Sequence, residues 1–331
     1  MLRFGVLLVC AAALQAQTEG AWASRAPVPL ALAEASAATL GDEVYVVCGI
    51  VGIGQYSNRL FAYNPSADSW RERAPLPITG GVERCNVAAW DGKLYLAGAI
   101  RVGRGFLSAQ TFVYDPAADA WTQKERMGAV HAAAGVAALE GKIYVAGGEG
   151  EQRAATVFEA FDVATERWQA LSDLPQPRTR LTAQSVNGKF YAVGGRLPGA
   201  APQREVFEYD PAAGSWRTRA PMPTARSDAA SAVLGGKILV FGGEGAGGEV
   251  LAEVEEFDPP PTRGARSPPC PTRATASPEP PSARKRTCLS ELRPRTSLPP
   301  TMSSSYVRAP ASRPRVWSAR PRSSRASRRA R

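Results

Sequence analysis

Trp22, Trp70, Trp121, Trp168 and Trp216 stand 48, 51, 47 and 48 residues apart, and the same elements recur between them. A hairpin turn leads into a short apolar strand that closes on glycine or a small residue: "GDEVYVVCG", "DGKLYLAGA", "EGKIYVAGG", "NGKFYAVGG" and "GGKILVFGG". A variable stretch follows. Then comes an aromatic residue with Asn or Asp, and the Trp closes each phrase: "YNPSADSW", "YDPAADAW", "FDVATERW" and "YDPAAGSW". A unit of this length cannot bury its own faces, so copies of it have to stack on one another.

Each part has a physical reading. Asp91-Gly92, Asn187-Gly188 and Gly235-Gly236 are two-residue turns that accept positive φ and join an incoming strand to an outgoing one. The strand bodies are rich in Val, Ile, Tyr and Ala, as strands buried on both faces are. Paired glycines such as Gly147-Gly148 and Gly194-Gly195 mark places where backbones crowd together. The Trp supplies a large apolar plate. The reading is four short strands per unit, an all-β chain, and units arrayed radially as a β-propeller. Turn, "K-[I/L]-Y-V-x-G-G", "YDP" and Trp at this period resemble the Kelch motif, over roughly residues 22 to 258. Cys48-Gly49 and Gly98-Ala99 lack one glycine of the pair, and Ile238-Leu239 lacks the Tyr. The resemblance implies a Kelch-type propeller with five readable four-stranded blades. Similar secreted bacterial Kelch proteins include N-acetylneuraminate epimerase, a six-bladed sugar-ring mutarotase. Only the general motif matches, so no residue carries over from it.

Residues 1–16, "MLRFGVLLVCAAALQA", have one Arg, an apolar run and then small residues, which resembles a secretory signal peptide cleaved near Ala16. The run is too short to span a bilayer, which takes about 20 residues. The expectation is therefore a secreted or periplasmic protein with no stable membrane insertion. The propeller itself occupies 17–258. Cys10 leaves with the leader, and Cys270 and Cys288 lie in the tail. Cys48 and Cys85 sit in strands of neighbouring repeats. They admit a disulfide in an oxidising compartment, but the preferred reading is two buried small hydrophobes.

After Asp258 the pattern stops. The fifth phrase starts as "FDP" and turns into "PPTRGARSPPCPTRATASP". The segment 259–331 holds 17 of the 40 Lys+Arg but only 2 of the 30 Asp+Glu, which leaves 23 basic against 28 acidic residues before it. The net charge of +10 thus belongs to the tail, and basic-patch arguments for nucleic acid do not apply to the folded body. "DPAADAW" at Asp115–Trp121 can be coded GAC CCG GCC GCC GAC GCG TGG. Deleting one G makes it read D-P-P-P-T-R-G, which is Asp258–Gly264. Read one base earlier, the following residues allow D-A-W-R-S-L-P-P-M-P-H-A-R-H-G-I-A, against "SWRTRAPMPTARSDAA" in the preceding unit. A one-base deletion near the codon for Pro260 accounts for this; the alternative is a genuine disordered Pro/Arg/Ser-rich tail. Either way the tail lacks the apolar content to pack. A sixth blade is lost, and the orphan Trp22 strand and the edges of the first and fifth blades are expected to stand unpaired.

Function in such a fold resides in the loops between strands 2 and 3 and in the crossings between blades. Eleven residues before the turn residues Glu43, Lys93, Lys142, Lys189 and Lys237 lie Leu32, Val82, His131, Arg178 and Arg226. Nine before them lie Glu34, Arg84, Ala133, Arg180 and Asp228. A ring of arginines with Glu34, Asp228 and His131 at a channel mouth suits an anionic ligand, since arginine forks onto carboxylate. The alternative is that these groups pair with one another and close the channel. A single histidine excludes a multi-histidine metal site, no nucleophile elbow is present, and no cofactor is implied. The expected function is an exported binding protein that recognises a glycan, peptide or protein at the loop face, with neither nucleic acid nor membrane as partner. The alternative is a sugar-acid mutarotase using Glu34 or Asp228 at the channel mouth.

Overall fold

The computed structural model describes residues 23–101, 106–150, 155–259 and 315–318, with backbone alone for 101, 106, 107 and 315–318. The signal peptide expected at residues 1–16, Trp22 and nearly all of the tail lie outside the described residues. Among the described residues no helix is long and apolar enough to cross a membrane.

Five four-stranded sheets follow one another along the chain. Blade 1 is Ser36–Leu40, Glu43–Val47, Leu60–Asn64 and Ser69–Arg73. Blade 2 is Val87–Trp90, Lys93–Arg101, Phe106–Asp115 and Ala120–Lys124. Blade 3 is Gly135–Leu139, Lys142–Ala146, Phe158–Asp162 and Arg167–Ala170. Blade 4 is Thr182–Val186, Lys189–Val193, Val206–Asp210 and Ser215–Arg219. Blade 5 is Ala230–Leu234, Lys237–Phe241, Val254–Asp258 and Arg315–Ser318. The first strand of each blade is innermost, and these inner strands touch in the order 1, 2, 3, 4, 5. The molecule is a β-propeller.

The repeated phrase explains the blade. In blades 1 to 4 the Trp of strand 4 stands opposite the aromatic residue of strand 3: Tyr63↔Trp70, Tyr114↔Trp121, Phe161↔Trp168 and Tyr209↔Trp216. Ring centroids are 4.9 to 5.4 Å apart, a geometry that adds about 0.5–1.5 kcal/mol beyond burial. The Asn or Asp after the aromatic makes the turn between them. Asp162 Oδ1 accepts the N–H of Ala164 (3.1 Å) and Thr165 (2.9 Å), and Asn64, Asp115 and Asp210 repeat this. The Lys of the turn closes the same corner, with Lys142 Nζ 3.0 Å from Asp162 and Lys189 Nζ 2.9 Å from Asp210. The indole N–H groups of Trp121, Trp168 and Trp216 then reach the chain leaving the blade before their own, and that of Trp70 reaches Ala26. Trp121 Nε1 donates to the carbonyl of Ala74 (2.9 Å) and Trp216 Nε1 to that of Ser172 (2.8 Å). The glycine pair ends strand 2 where the next blade presses against it. Gly147 has φ +65°, and a Cβ there would lie 2.4 Å from the carbonyl oxygen of Arg178.

Two expectations are corrected. Cys48 and Cys85 form a disulfide between blades 1 and 2 rather than remaining as two buried thiols. Both are buried, and the crowding of neighbouring repeats brings their backbones within 6.8 Å, Cα to Cα. The tail is not wholly outside the fold either. Arg315–Ser318 runs parallel to Val254–Asp258 and supplies the fourth strand of blade 5, with Trp317 opposite Phe257. An open strand edge offers unpaired N–H and C=O groups, and "RVWS" contains the β-branched and aromatic residues that suit it.

Candidate functional site: the charged collar at the channel mouth

Between the outer strand of one blade and the inner strand of the next, one residue per blade turns into the left-handed region. These are Glu34 (φ 54°), Arg84 (51°), Ala133 (49°), Arg180 (54°) and Asp228 (53°). Non-glycine residues seldom adopt this conformation. Here it recurs because it lets each residue hydrogen-bond to its predecessor. Arg84 N–H donates to the Glu34 carbonyl (3.2 Å), Ala133 to Arg84 (3.2 Å), Arg180 to Ala133 (2.8 Å) and Asp228 to Arg180 (2.9 Å). The residue just before each one bridges to the end of strand 2 in its own blade: Ala33↔Ile50, Glu83↔Ile100, Ala132↔Glu149, Thr179↔Arg196 and Ser227↔Glu244. The collar and the loops between strands 2 and 3 therefore share one face.

The side chains of the collar alternate in sign. Arg84 lies 3.2 Å from Glu34 on one side and 3.2 Å from Glu149 on the other. Arg180 Nε donates to the same Glu149 oxygen (2.8 Å), and its Nη1 lies 3.6 Å from Asp228. Ser227 Oγ donates to Asp228 Oδ2 (3.1 Å), and Arg196 bonds Ser227 (2.9 Å) and pairs with Glu244 (3.1 Å). Burial pulls the Arg180 guanidinium down, but the hydrogen bond to Glu149 and the charges of Asp228, Glu149 and Glu34 more than offset it and raise its pKa. Each collar arginine is thus flanked by two carboxylates. Four expected residues, Glu34, Arg84, Arg180 and Asp228, come together here. Glu149, Arg196 and Glu244 were missed, although each directly follows a glycine pair and faces the collar for that reason.

The residues two positions earlier lie elsewhere. His131, Arg178 and Arg226 are sealed inside the blades, each at 1% exposure or less. His131 Nδ1–H donates to the Gly147 carbonyl (2.5 Å), and its Nε2 is 3.3 Å from Glu159. Arg178 donates to Glu205 (2.8 Å). Arg226 lies 3.2 Å from Glu255 and donates to the carbonyls of Gly242 (2.9 Å) and Glu253 (3.1 Å). Burial lowers the pKa of both arginines although the glutamates oppose it. Leu32 and Val82 hold the same position in blades 1 and 2 and pack into apolar clusters. His131, Arg178 and Arg226 are blade-core residues with no face on the channel mouth, which is where sequence spacing had placed them.

Around the collar the loops differ in every blade. In blade 1 a hairpin of Ile50–Gly52 and Gln55–Tyr56 carries Val51 and, fully exposed at its tip, Ile53. In blade 5 Val250, 63% exposed, pairs with Glu244 beside the collar.

Four-stranded blades about an axis, each closed by the turn-strand-glycine and Trp phrases, define a Kelch-type propeller. The KLHDC2/KLHL20/DRC7 Kelch-repeats domain family matches residues 84–290, and the Kelch motif matches 31–77. The chain belongs to the Kelch-repeat family. It is similar to Kelch-like protein terF of Aspergillus terreus, 32% identical over 179 residues, covering 49% of this chain and 39% of that protein. It is also similar to Kelch-like protein 35 of Mus musculus, 28% identical over 156 residues, covering 46% of this chain and 25% of that protein. The match therefore spans well under half the length of these relatives. The solved structure of YjhT superposes with a TM-score of 0.59 over 67% of this chain and 80% of that one, at 18% identity, a likeness of fold.

Proposed function

We propose that this chain is an exported binding module that captures a protein or peptide with the loops around the collar. The observation that carries the reading is the apolar exposure on that face. Ile53 is fully exposed, and Val51 and Val250 are exposed beside the charged collar. Exposed aliphatic anchors rimmed by charge suit a protein surface better than a sugar acid. The collar arginines already face carboxylates at 2.8 to 3.6 Å, so an anionic sugar would have to displace them. Glu34 and Asp228, the groups a mutarotase would use, are each held by an arginine. A buried disulfide between blades, of a kind that persists outside the cytosol, and the leader-like residues 1–16 support export.

The test is a displayed peptide library selected on the full chain, alongside thermal shift with N-acetylneuraminate and glucuronate. Selected peptides should lose about tenfold or more in affinity on Ile53→Asp, the scale of one buried anchor, and the sugar acids should leave the melting temperature unchanged. A sugar-acid shift that Arg180→Ala abolishes, with no peptide enrichment, would overturn the reading.

A further inference from the structure

The face opposite the collar carries the turns between strands 1 and 2 and between strands 3 and 4 of each blade. On it a cleft of about 430 Å³ opens at the seam between blades 3 and 4. Blade 3 lines it with Glu140, Lys142, Tyr144 and Gln169, and blade 4 with Tyr209 and Pro211. That volume lies in the range of small-molecule sites, about 300–1,000 Å³.

The local sequence accounts for the opening. In blade 4 the strand 2 tyrosine, Tyr191, donates to Glu208 opposite it on strand 3 (2.8 Å). In blade 1 its counterpart, Tyr45, donates to Glu43 two residues before it (3.1 Å). Blade 3 has Ala160 and Lys142 at those two places. Tyr144 is flanked across the sheet by Ala137 and Ala160, and Gln169 follows Ala160 in the same row. Tyr144 is only 4% exposed, and its hydroxyl has no hydrogen-bond partner among the described residues. A polar group that deep ordinarily has one, and here the open side is the cleft. Its ring packs against Phe158 and Tyr209, with centroids 5.6 and 6.2 Å away. Tyr144 therefore offers the cleft its hydroxyl rather than a ring face.

Glu140 points to the same place independently. It holds the first turn position, where the other blades have Gly41, Asp91, Asn187 and Gly235. With φ at +49° this is a position for Gly, Asn or Asp, and glutamate serves the turn poorly. Its carboxylate leans across the seam, since a Cβ on Gly188 of blade 4 would lie 3.6 Å from Glu140 Oε1. Among the described residues neither Glu140 nor the Gln169 amide has a hydrogen-bond or ion-pair partner. The cations nearby are already matched: Lys142 by Asp162 (3.0 Å) and Lys189 by Asp210 (2.9 Å). The uncompensated charge of the cleft is thus negative. Burial, then the charges of Tyr209, Glu140 and Asp162, push the Tyr144 pKa up to about 12, so the hydroxyl stays neutral.

We propose that this cleft binds a small organic amine. The ammonium group carries three N–H donors, and the cleft supplies three unpartnered acceptors: the Glu140 carboxylate, the Tyr144 hydroxyl oxygen and the Gln169 amide oxygen. The methylene chain lies along Leu171 and Pro211, which also line the cleft. An anionic ligand finds no free cation there, and a neutral polyol leaves the Glu140 charge unmatched. The cleft is on the other face from the loops around the collar, so peptide capture and amine binding stand or fall separately.

Saturation-transfer NMR on the full chain tests this, with cadaverine, pentanol and glucose as probes. Cadaverine should bind saturably, whereas pentanol, which has the methylenes without the charge, and glucose should not. Glu140→Gln should weaken cadaverine about tenfold or more, the scale of a hydrogen bond to a charged group. Tyr144→Phe, which keeps the ring packing, should weaken it roughly threefold to tenfold. Tyr95→Phe, at the blade 2 counterpart opposite Val113, should leave it unchanged. Glu140→Gly separates binding from folding: it relieves the left-handed residue, so it should melt no lower than the parent while losing the amine. No saturable amine binding, or amine binding that survives Glu140→Gln, overturns the proposal. So does glucose binding that Tyr144→Phe weakens and Glu140→Gln spares, which would assign the cleft to a neutral polyol.

Discussion

The disulfide between blades 1 and 2 invites a quantitative test, because Cys48 stands where blades 2 to 5 have glycine. Cys48 has φ +66°, beside +80° for Gly98, +65° for Gly147, +62° for Gly194 and +65° for Gly242. A side chain in this region costs about 1 kcal/mol. The bond to Cys85 closes a loop across a sequence separation of 37. The chain-entropy relation gives about 4 kcal/mol of stabilisation for a loop of that length. The bond therefore outweighs the backbone strain about fourfold. Reduction should cost about 4 kcal/mol in urea unfolding at pH 7. Cys48→Gly/Cys85→Ala should recover about 1 kcal/mol of that relative to Cys48→Ala/Cys85→Ala, because glycine relieves the left-handed residue. A loss on reduction below about 1 kcal/mol, or equal stabilities of the glycine and alanine pairs, would refute the reasoning.

Two further outcomes are expected. Glu255→Leu alone should cost about 3–5 kcal/mol by leaving Arg226 charged and buried. Arg226→Met/Glu255→Leu should cost only about 2 kcal/mol, for the carbonyls of Gly242 and Glu253 left without their donor; a double-mutant cycle in urea measures the coupling. The turn aspartates have depressed pKa values. Hydrogen bonds from Thr165 N–H and from Lys142 draw Asp162 down to about 2, and Asp115 and Asp210 are lowered in the same way. A depressed carboxylate stabilises the fold above its unfolded value and loses that contribution as pH falls through the folded one. Melting temperature should therefore fall steeply between about pH 4 and pH 2. Asp162→Asn, which keeps the turn as Asn64 does in blade 1, should flatten that fall; an unchanged acid limb would count against the assignment.

Blade architecture was legible because the period is written in residues with one physical use each: turn glycines, a plate of Trp, and an Asp that folds its own corner. Counting back from the turn Lys located the collar for the same reason. The count failed two residues earlier. Arg178 and Arg226 look solvent-bound in sequence, and their burial depends on Glu205 and Glu255, about 27 to 29 residues downstream, where nothing local marks the pairing. The strand Arg315–Ser318 was illegible for a related reason. A parallel partner arriving more than fifty residues after its neighbour leaves no turn signal.

The seams are not equivalent, and their differences bear on where binding loops can move. Blades 1 and 2 are tied covalently. At the next seam Asn86 Nδ2 donates to the His131 carbonyl (3.0 Å) and its Oδ1 accepts from Ala134 N–H (2.9 Å). Blades 3 and 4 share an aromatic cluster of Tyr144, Phe158, Phe190, Tyr209 and Trp216. Blades 4 and 5 meet through Gln184, whose amide donates to Ser231 carbonyl (3.0 Å), and fewer large side chains. In a repeat fold each unit is stabilised by its neighbours, so a blade with one neighbour opens most readily. Among the described residues blade 5 has one neighbour, and it combines that position with an exposed inner strand and a four-residue outer strand. Local opening therefore belongs to the loop that carries Val250, whereas the disulfide-tied blade holds Ile53 in place. Under the proposed binding function, a face with one fixed anchor and one adaptable edge keeps its register on a partner while accommodating variation at the rim.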